Sequence, residues 1–161
     1  MDSRTEYMRR FLLLAVSLLL CCSPVSAQYF EKLVERYGEE KKADVIKISS
    51  GMVKMARLFV TGKEKGLFRM IDNMSILSLK DCASEVKERF LDEVQNVDPQ
   101  GYESALHTDE KGNTSRVFVK ESGEDDIAYE MVVSSVENKG DVVLMIMNGR
   151  FVLSEVVGIF K

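Results

Sequence analysis

The residues best suited to chemistry in this sequence are few, and they lie far apart along the chain. Cys82 follows Asp81 at the start of a predicted helix, and a helix N-terminus can lower the pKa of a thiol. His107 is the only histidine, and no Gly-x-Ser-x-Gly motif or glycine-rich phosphate loop accompanies it. We therefore expect Cys82 to be a small buried residue and His107 to be an exposed or half-exposed strand residue.

Two groups of side chains could bind metal ions, and each has a simpler explanation. Met70 with Met74, or Met145 with Met147, could offer soft thioether ligands to Cu(I), but methionine also fills apolar cores. Residues 121–126 are rich in carboxylates that could attract Ca²⁺, yet they lack the ligand spacing of an EF-hand loop. We expect core methionines and a solvated hairpin tip, and we assign no catalytic, cofactor-binding or metal-binding residue.

Residues 1–27 are typical of a cleavable secretory signal peptide. Arg9 and Arg10 precede an apolar run at residues 11–20, which is too short for a bilayer core that needs roughly 20 residues. Val25-Ser26-Ala27 supplies the small residues of a cleavage site before Gln28. We therefore expect export to the periplasm or the cell surface, with residues 28–161 forming one mature domain that has no transmembrane segment.

Cys21 and Cys22 leave a second outcome open, in which a lipidated cysteine becomes the new N-terminus and anchors the protein. Cleavage after Ala27 would instead remove both of them, and Cys82 would be the one remaining thiol. A domain with a single thiol cannot form an internal disulfide. It must then depend on its apolar core for stability.

The charge balance excludes one large class of partner. The chain has 22 basic and 26 acidic residues and a formal net charge of −4. The predicted signal peptide removes one more basic than acidic residue, which leaves a mildly acidic domain without a basic stripe to neutralise phosphates. We expect no nucleic-acid partner.

The spacing of apolar residues predicts ten elements in the order α-β-α-β-α-β-β-β-β-α. The predicted helices cover residues 30–37, 50–59, 81–96 and 153–160, and residues 61–66 form a loop. In the second helix Met52, Met55, Ala56 and Phe59 share one face, and we expect its methionines, like Met131, to fill the core. The predicted strands cover residues 43–49, 74–79, 102–108, 116–120, 127–136 and 142–147.

This order predicts an α+β fold. A βαβ start is followed by a meander of four strands joined by short polar loops, so we expect a mostly antiparallel sheet with helices packed on one of its faces. The last strand is the most apolar segment of the meander. We expect it to lie centrally and to be covered on both faces.

The pattern resembles a bacterial domain family of unknown function, number four-two-five-two, found in small exported proteins of Bacteroidetes. The matching pieces are Ile48-Ser49-Ser50-Gly51-Met52, Ile76-Leu77-Ser78, Tyr102-Glu103-Ser104-Ala105-Leu106 and Asn148-Gly149-Arg150-Phe151. These are packing patterns that span nearly all of residues 28–161. The resemblance implies export and a compact α+β domain, and it supplies no activity, ligand or site residue.

Because no motif indicates a chemistry, the leading hypothesis is a non-enzymatic binding or protein-interaction module of the cell envelope, with a sheet edge as the surface for a partner. Two other classes stay open, a small periplasmic hydrolase and a metal or lipid carrier. The hydrolase requires a cleft at His107 or Cys82. The carrier requires clustered methionine sulfurs or a sizeable apolar cavity.

Overall fold

The computed structural model of the chain describes residues 29–62, 64–96, 99, 101–110, 112–137 and 140–159. The predicted signal peptide at residues 1–27 lies outside the described residues, so cleavage before Gln28 and lipidation at Cys21 or Cys22 stay predictions. No helix in the described part of the chain has the length and hydropathy needed to span a bilayer.

The described residues form five helices and six strands. The helices are α1 (Tyr29–Gly38), α2 (Ser50–Ala56), α3 (Glu64–Met70), α4 (Ser84–Gln95) and α5 (Leu153–Ile159). The strands are β1 (Asp44–Ile48), β2 (Ile71–Ser78), β3 (Glu103–Glu110), β4 (Asn113–Glu121), β5 (Ile127–Val136) and β6 (Val142–Val152).

All six strands belong to one antiparallel sheet with the order β1-β2-β6-β5-β4-β3. The predicted α+β class and the meander from β3 to β6 are confirmed. Strand β6 lies between β2 and β5, and it is buried on both faces as predicted, with Leu144 and Ile146 on one side and Met147 and Phe151 on the other. The edges of the sheet are β1 and β3.

The helices cover both faces of the sheet, so the expectation that they pack on one face is wrong. Helices α1 and α4 contribute Phe30 and Phe90 to the core on one face, the α1–α4 core. Helices α2 and α5 contribute Val53 and Val156 to the core on the other face, the α2–α3–α5 core, against which Leu67 of α3 also packs. The physical reason is that the central strands carry apolar side chains on both faces of the sheet. Both sets of side chains are stabilised by burial, so each face needs a covering layer.

Helix α3 departs from the predicted loop, which rests on Gly62, Gly66 and the charges between them. A glycine inside a helix costs about 1 kcal/mol relative to alanine. The segment is helical nonetheless, because Leu67 and Met70 reach the α2–α3–α5 core. Burial of these two side chains outweighs the local preference of the backbone.

Strand β6 continues to Val152, five residues beyond the predicted end at residue 147. Gly149 permits this extension, because a Cβ at that position would lie 1.9 Å from the Met70 carbonyl oxygen. The backbone where α3 becomes β2 therefore approaches β6 at a point where only glycine fits.

We expect Gly149→Ala to lower the free energy of unfolding by roughly 3 kcal/mol, because one of two packed backbones must move. Urea unfolding followed by circular dichroism measures this change. The control is Gly158→Ala in α5, where an added Cβ meets nothing within 4 Å. The control should change stability by no more than about 1 kcal/mol, and equal losses in the two variants would contradict the close approach.

Candidate binding groove

One part of the sheet is left without a covering helix. On the face of the α2–α3–α5 core, these helices contact chiefly β2, β6 and each other. Strands β4 and β3 lie two and three places beyond β6. Val117 and Val119 of β4 are still buried in the core on this face, and the apolar surface that stays open lies over β3, where Leu106 is 38% exposed.

The floor of this surface is built by strand alternation. Val117 and Val119 of β4 point to the α2–α3–α5 side, while Phe118 between them belongs to the α1–α4 core. Leu106 of β3 stands opposite Val117 in the antiparallel register. The register shifts between Ser104 and Leu106, and such a bulge re-aims the side chains of an edge strand.

The wall is the short helix α5. Together with the floor it encloses an apolar cavity of about 380 Å³, lined by Ala105, Leu106, Thr108, Val117, Val119, Leu153, Val156 and Val157. A second cavity of about 390 Å³ shares Leu106, Thr108 and Val117 and continues toward the β3–β4 turn. The two cavities are neighbours along the edge strand because they share these three residues, and we call them together the β3 groove.

Helix α5 is held in place by the loop before β5. The Asp126 carboxylate accepts hydrogen bonds from the backbone N–H of Ser154 at 2.9 Å and from its hydroxyl at 2.5 Å, and the Asp126 carbonyl accepts one from Leu153 N–H at 2.9 Å. A carboxylate at a helix N-terminus satisfies free N–H groups and interacts favourably with the helix dipole. Asp126 thereby fixes the wall of the β3 groove.

Two of the acidic residues at positions 121–126, Asp126 and Glu124, thus have structural partners. Besides the contacts of Asp126, the Glu124 carboxylate accepts a hydrogen bond from Arg150 at 3.2 Å and lies 3.4 Å from the Tyr129 hydroxyl. Within the described residues, no three His, Cys, Asp or Glu side chains are arranged to hold a metal ion. The loop is a hairpin tip, as predicted, and it also positions α5.

Cys82 lies in the turn before α4 and is buried in the α1–α4 core. Burial is the largest influence on the thiol and raises its pKa, and the nearby carboxylate of Glu40 acts in the same direction. The environment therefore disfavours the reactive thiolate. The interpretation of Cys82 as a small core residue is confirmed.

His107 is exposed on β3, as expected, and it lies on the other face from the groove. It stands opposite Arg116 in the register, and Arg116 donates a hydrogen bond to the Gln95 carbonyl at the end of α4. The structure therefore brings neither His107 nor Cys82 into the β3 groove. It does not bring them together into a catalytic arrangement.

The methionines divide into two groups. Met74, Met147 and Met131 stand side by side across β2, β6 and β5, and Met70 joins them in the α2–α3–α5 core. The sulfur of Met70 accepts a hydrogen bond from the Val152 N–H at 3.4 Å. These four are core side chains, as predicted, whereas Met145, which the sequence pairs with Met147, is only partly buried. In contrast, the shared face of α2 points to solvent, so the core role expected for Met52 and Met55 is wrong.

A buried carboxylate lies on the opposite face from the groove. Glu130 of β5 is 7% exposed and accepts a hydrogen bond from the Tyr102 hydroxyl. Burial raises the pKa of the Glu130 carboxyl, and the Tyr102 hydroxyl lowers it in part. The Tyr102 ring packs edge-on against Phe30 with 5.0 Å between centroids. The pair is therefore part of the contact between α1 and the sheet.

The sequence offers no direct sign of the β3 groove. Val117 and Val119 alternate with Phe118, so the pattern correctly predicts that β4 is buried on both sides, and it gives no indication of the open surface beside α5. The apolar pattern does predict the two elements that border the groove, a strand at residues 102–108 and a helix at residues 153–160. That these two elements lie on either side of β4 follows from the strand order, which the pattern does not contain.

Comparisons with known proteins identify a family and no function. A family model described as Domain of unknown function (DUF4252) matches residues 37–159. No curated protein and no solved structure matches the chain.

We expect Asp126→Ala to destabilise the protein by roughly 2 kcal/mol, because α5 loses both side-chain hydrogen bonds. Asp126→Asn keeps one acceptor oxygen and tolerates the backbone φ of 61° at this position, so it should cost less. Chemical unfolding measures the series, with Asp125→Ala as the neighbouring acidic control. An Asp125 variant as unstable as Asp126→Ala would contradict the anchoring role.

We expect Glu130→Gln to be more stable than the wild type at pH 7, by about 1 kcal/mol. Because folding raises the pKa of this carboxyl, the folded state binds the proton more tightly. Its contribution to stability is therefore lost as pH rises from the unfolded to the folded pKa. Unfolding free energies measured from pH 4 to pH 8 should show a shallower decline for the variant, and an unchanged slope would contradict the assignment.

Proposed function

We propose that this chain, which belongs to the family described as Domain of unknown function (DUF4252), is a binding module that receives an extended segment of a partner protein along β3. The observation that supports the proposal most strongly is the position of the β3 groove. It runs along a strand that has a neighbour on one side only. Backbone pairing and apolar burial are therefore available to the same incoming segment.

The backbone of β3 supplies the first part of the interaction. An edge strand presents alternate N–H and C=O groups that have no partner in the sheet, and an extended peptide can pair with them as an additional strand. Strand β3 is eight residues long. That length accommodates a peptide segment of the usual strand size.

The groove supplies the second part. Alternate side chains of an added strand point to the same face of the sheet, and on this face they would lie beside Leu106 and Val157. Both side chains are exposed in the free protein, at 38% and 53%. Burial of exposed apolar area stabilises a complex by about 25 cal/mol per Å² before the costs of ordering are subtracted.

Charge selects among extended segments. Glu103, Asp109 and Glu110 are exposed on β3, so a partner with basic residues at the ends of an apolar stretch would be favoured. A second copy is disfavoured, because symmetric antiparallel pairing of β3 with itself places Glu103 opposite Glu110 and Ser104 opposite Asp109. Like charges opposite each other destabilise a strand pair.

The predicted signal peptide would place the domain in the cell envelope, and we propose that the partner is an envelope protein. A second candidate is a carrier of a small apolar molecule, which the cavity of about 380 Å³ favours. The hydrolase hypothesis gains no support from the groove, because neither His107 nor Cys82 lines it. The two remaining candidates differ in whether the backbone of β3 takes part.

Fluorescence anisotropy with a labelled synthetic peptide tests the proposal. The peptide alternates valine and threonine and carries two lysines at each end. We expect saturable binding with a Kd on the order of 10 μM. The same peptide with terminal glutamates, or with alternate backbone nitrogens methylated, should bind at least about tenfold more weakly, a loss of about 1.4 kcal/mol.

Two matched protein variants locate the site. Leu106→Glu places a charge in the groove and should weaken binding about tenfold or more. Ile46→Glu alters a similarly exposed apolar residue on the opposite edge strand β1 and should leave the affinity unchanged. Equal losses of affinity in both variants would overturn strand addition at β3. Peptide binding that backbone methylation leaves unchanged would also overturn it, and that result would favour the apolar carrier.

A further inference from the structure

Helix α2 and the turn after it carry an apolar face that points away from the protein. Met52, Met55, Leu58 and Phe59 are 56%, 65%, 80% and 80% exposed. Met52 and Met55 lie one turn apart on one face of α2, and Leu58 and Phe59 continue this exposed apolar sector in the turn that follows the helix. We call this sector the α2 apolar face.

Two residues on the other side of the helix explain why this face points outward. Val53 is buried in the α2–α3–α5 core. Arg57, one turn later, donates hydrogen bonds from Nε to the Phe68 carbonyl at 2.8 Å and from its terminal nitrogen to the Ile71 carbonyl at 2.5 Å. These contacts fix the rotation of α2, and the protein thereby holds large apolar side chains in water, a feature typical of docking surfaces.

Basic residues are frequent in α2, in α3 and in the segment between them. Residues 50–70 contain five basic residues and one acidic residue, in a chain whose formal net charge is −4. Lys54, Lys65 and Arg69 are exposed. Positive charge is thus concentrated in the segment that also exposes the most apolar side chains.

We propose that the α2 apolar face docks on an anionic lipid surface. Protruding apolar side chains bordered by lysines and arginines are the features that hold a peripheral protein at a bilayer, where the apolar groups enter the headgroup region and the cations contact anionic lipids. The side chains of Leu58 and Phe59 are each 80% exposed. A deformable lipid layer accommodates such a protrusion without a preformed complementary pocket.

The docking face is separate from the β3 groove. Helix α2 packs on β2 near one edge of the sheet, and the groove follows β3 at the opposite edge. A domain held at a membrane by α2 would keep β3 available to a partner. A variant that abolishes membrane docking through α2 therefore still allows peptide binding at β3 to be measured, and the reverse also holds.

The full chain contains no tryptophan, so Phe59→Trp provides a fluorescent reporter within the face itself. With vesicles of phosphatidylcholine that contain phosphatidylglycerol, the emission should shift to shorter wavelength and be quenched by lipids with brominated acyl chains. The control is Tyr129→Trp on β5, which replaces another exposed aromatic residue and should show neither effect. Because the signal is local, it is independent of any membrane affinity of residues 1–27.

Charge variants test the electrostatic part. Each basic residue near an anionic surface contributes roughly fivefold to partitioning, so Lys54→Gln with Lys65→Gln in the Phe59→Trp chain should lower partitioning roughly 25-fold. Lys32→Gln with Lys41→Gln in the same chain should have little effect.

Three results would overturn the proposal. The first is an equal response of the Phe59→Trp and Tyr129→Trp chains to vesicles, and the second is an emission of the Phe59→Trp chain that vesicles leave unchanged. The third is a shift of the Phe59→Trp emission that follows self-association alone, which would assign the α2 apolar face to a second copy of the chain.

Discussion

The central strand β6 must be covered on both faces, and the rest of the architecture depends on this requirement. Its side chains are apolar on both sides, so the five helices in the described residues divide between two layers. The layer formed by α2, α3 and α5 gathers over β2 and β6. Toward β3 this layer ends at α5, whose Val156 shares a core with Val117 and Val119 of β4, and the β3 groove is the gap beside it.

The helices of the two layers are held in place by different contacts. On one side α1 and α4 contact each other. The Tyr37 hydroxyl donates a hydrogen bond to the Glu93 carboxylate at 2.7 Å, and the Tyr37 and Phe90 rings pack edge-on with centroids 5.0 Å apart. On the other side the short helices are tied by single polar residues, Arg57 for α2 and Asp126 for α5. Such short helices have little stability of their own. These tethers therefore determine which surfaces stay open.

The sequence predicts the elements that have strong periodicity. The stripe of apolar residues in α4 and the alternation in β4 and β5 are present in the structure with small changes at their ends. The prediction fails where tertiary contacts outweigh local preference, as in α3 with its Gly66 and in β6 beyond residue 147. It also fails for α2, because helical spacing shows that Met52, Met55 and Phe59 share a face without showing which way that face points. The β3 groove needs the strand order, which no local pattern contains.

Amide hydrogen exchange on the wild-type chain, with and without the lysine-ended peptide, tests strand addition at β3 most directly. Hydrogen-bonded amides exchange far more slowly than free ones. We predict that alternate amides between Glu103 and Glu110 become protected when the peptide is added, while those of β1 are unchanged. Protection that appears on β1 instead, or no change along β3 at saturating peptide, would contradict the assignment of this edge as the binding site.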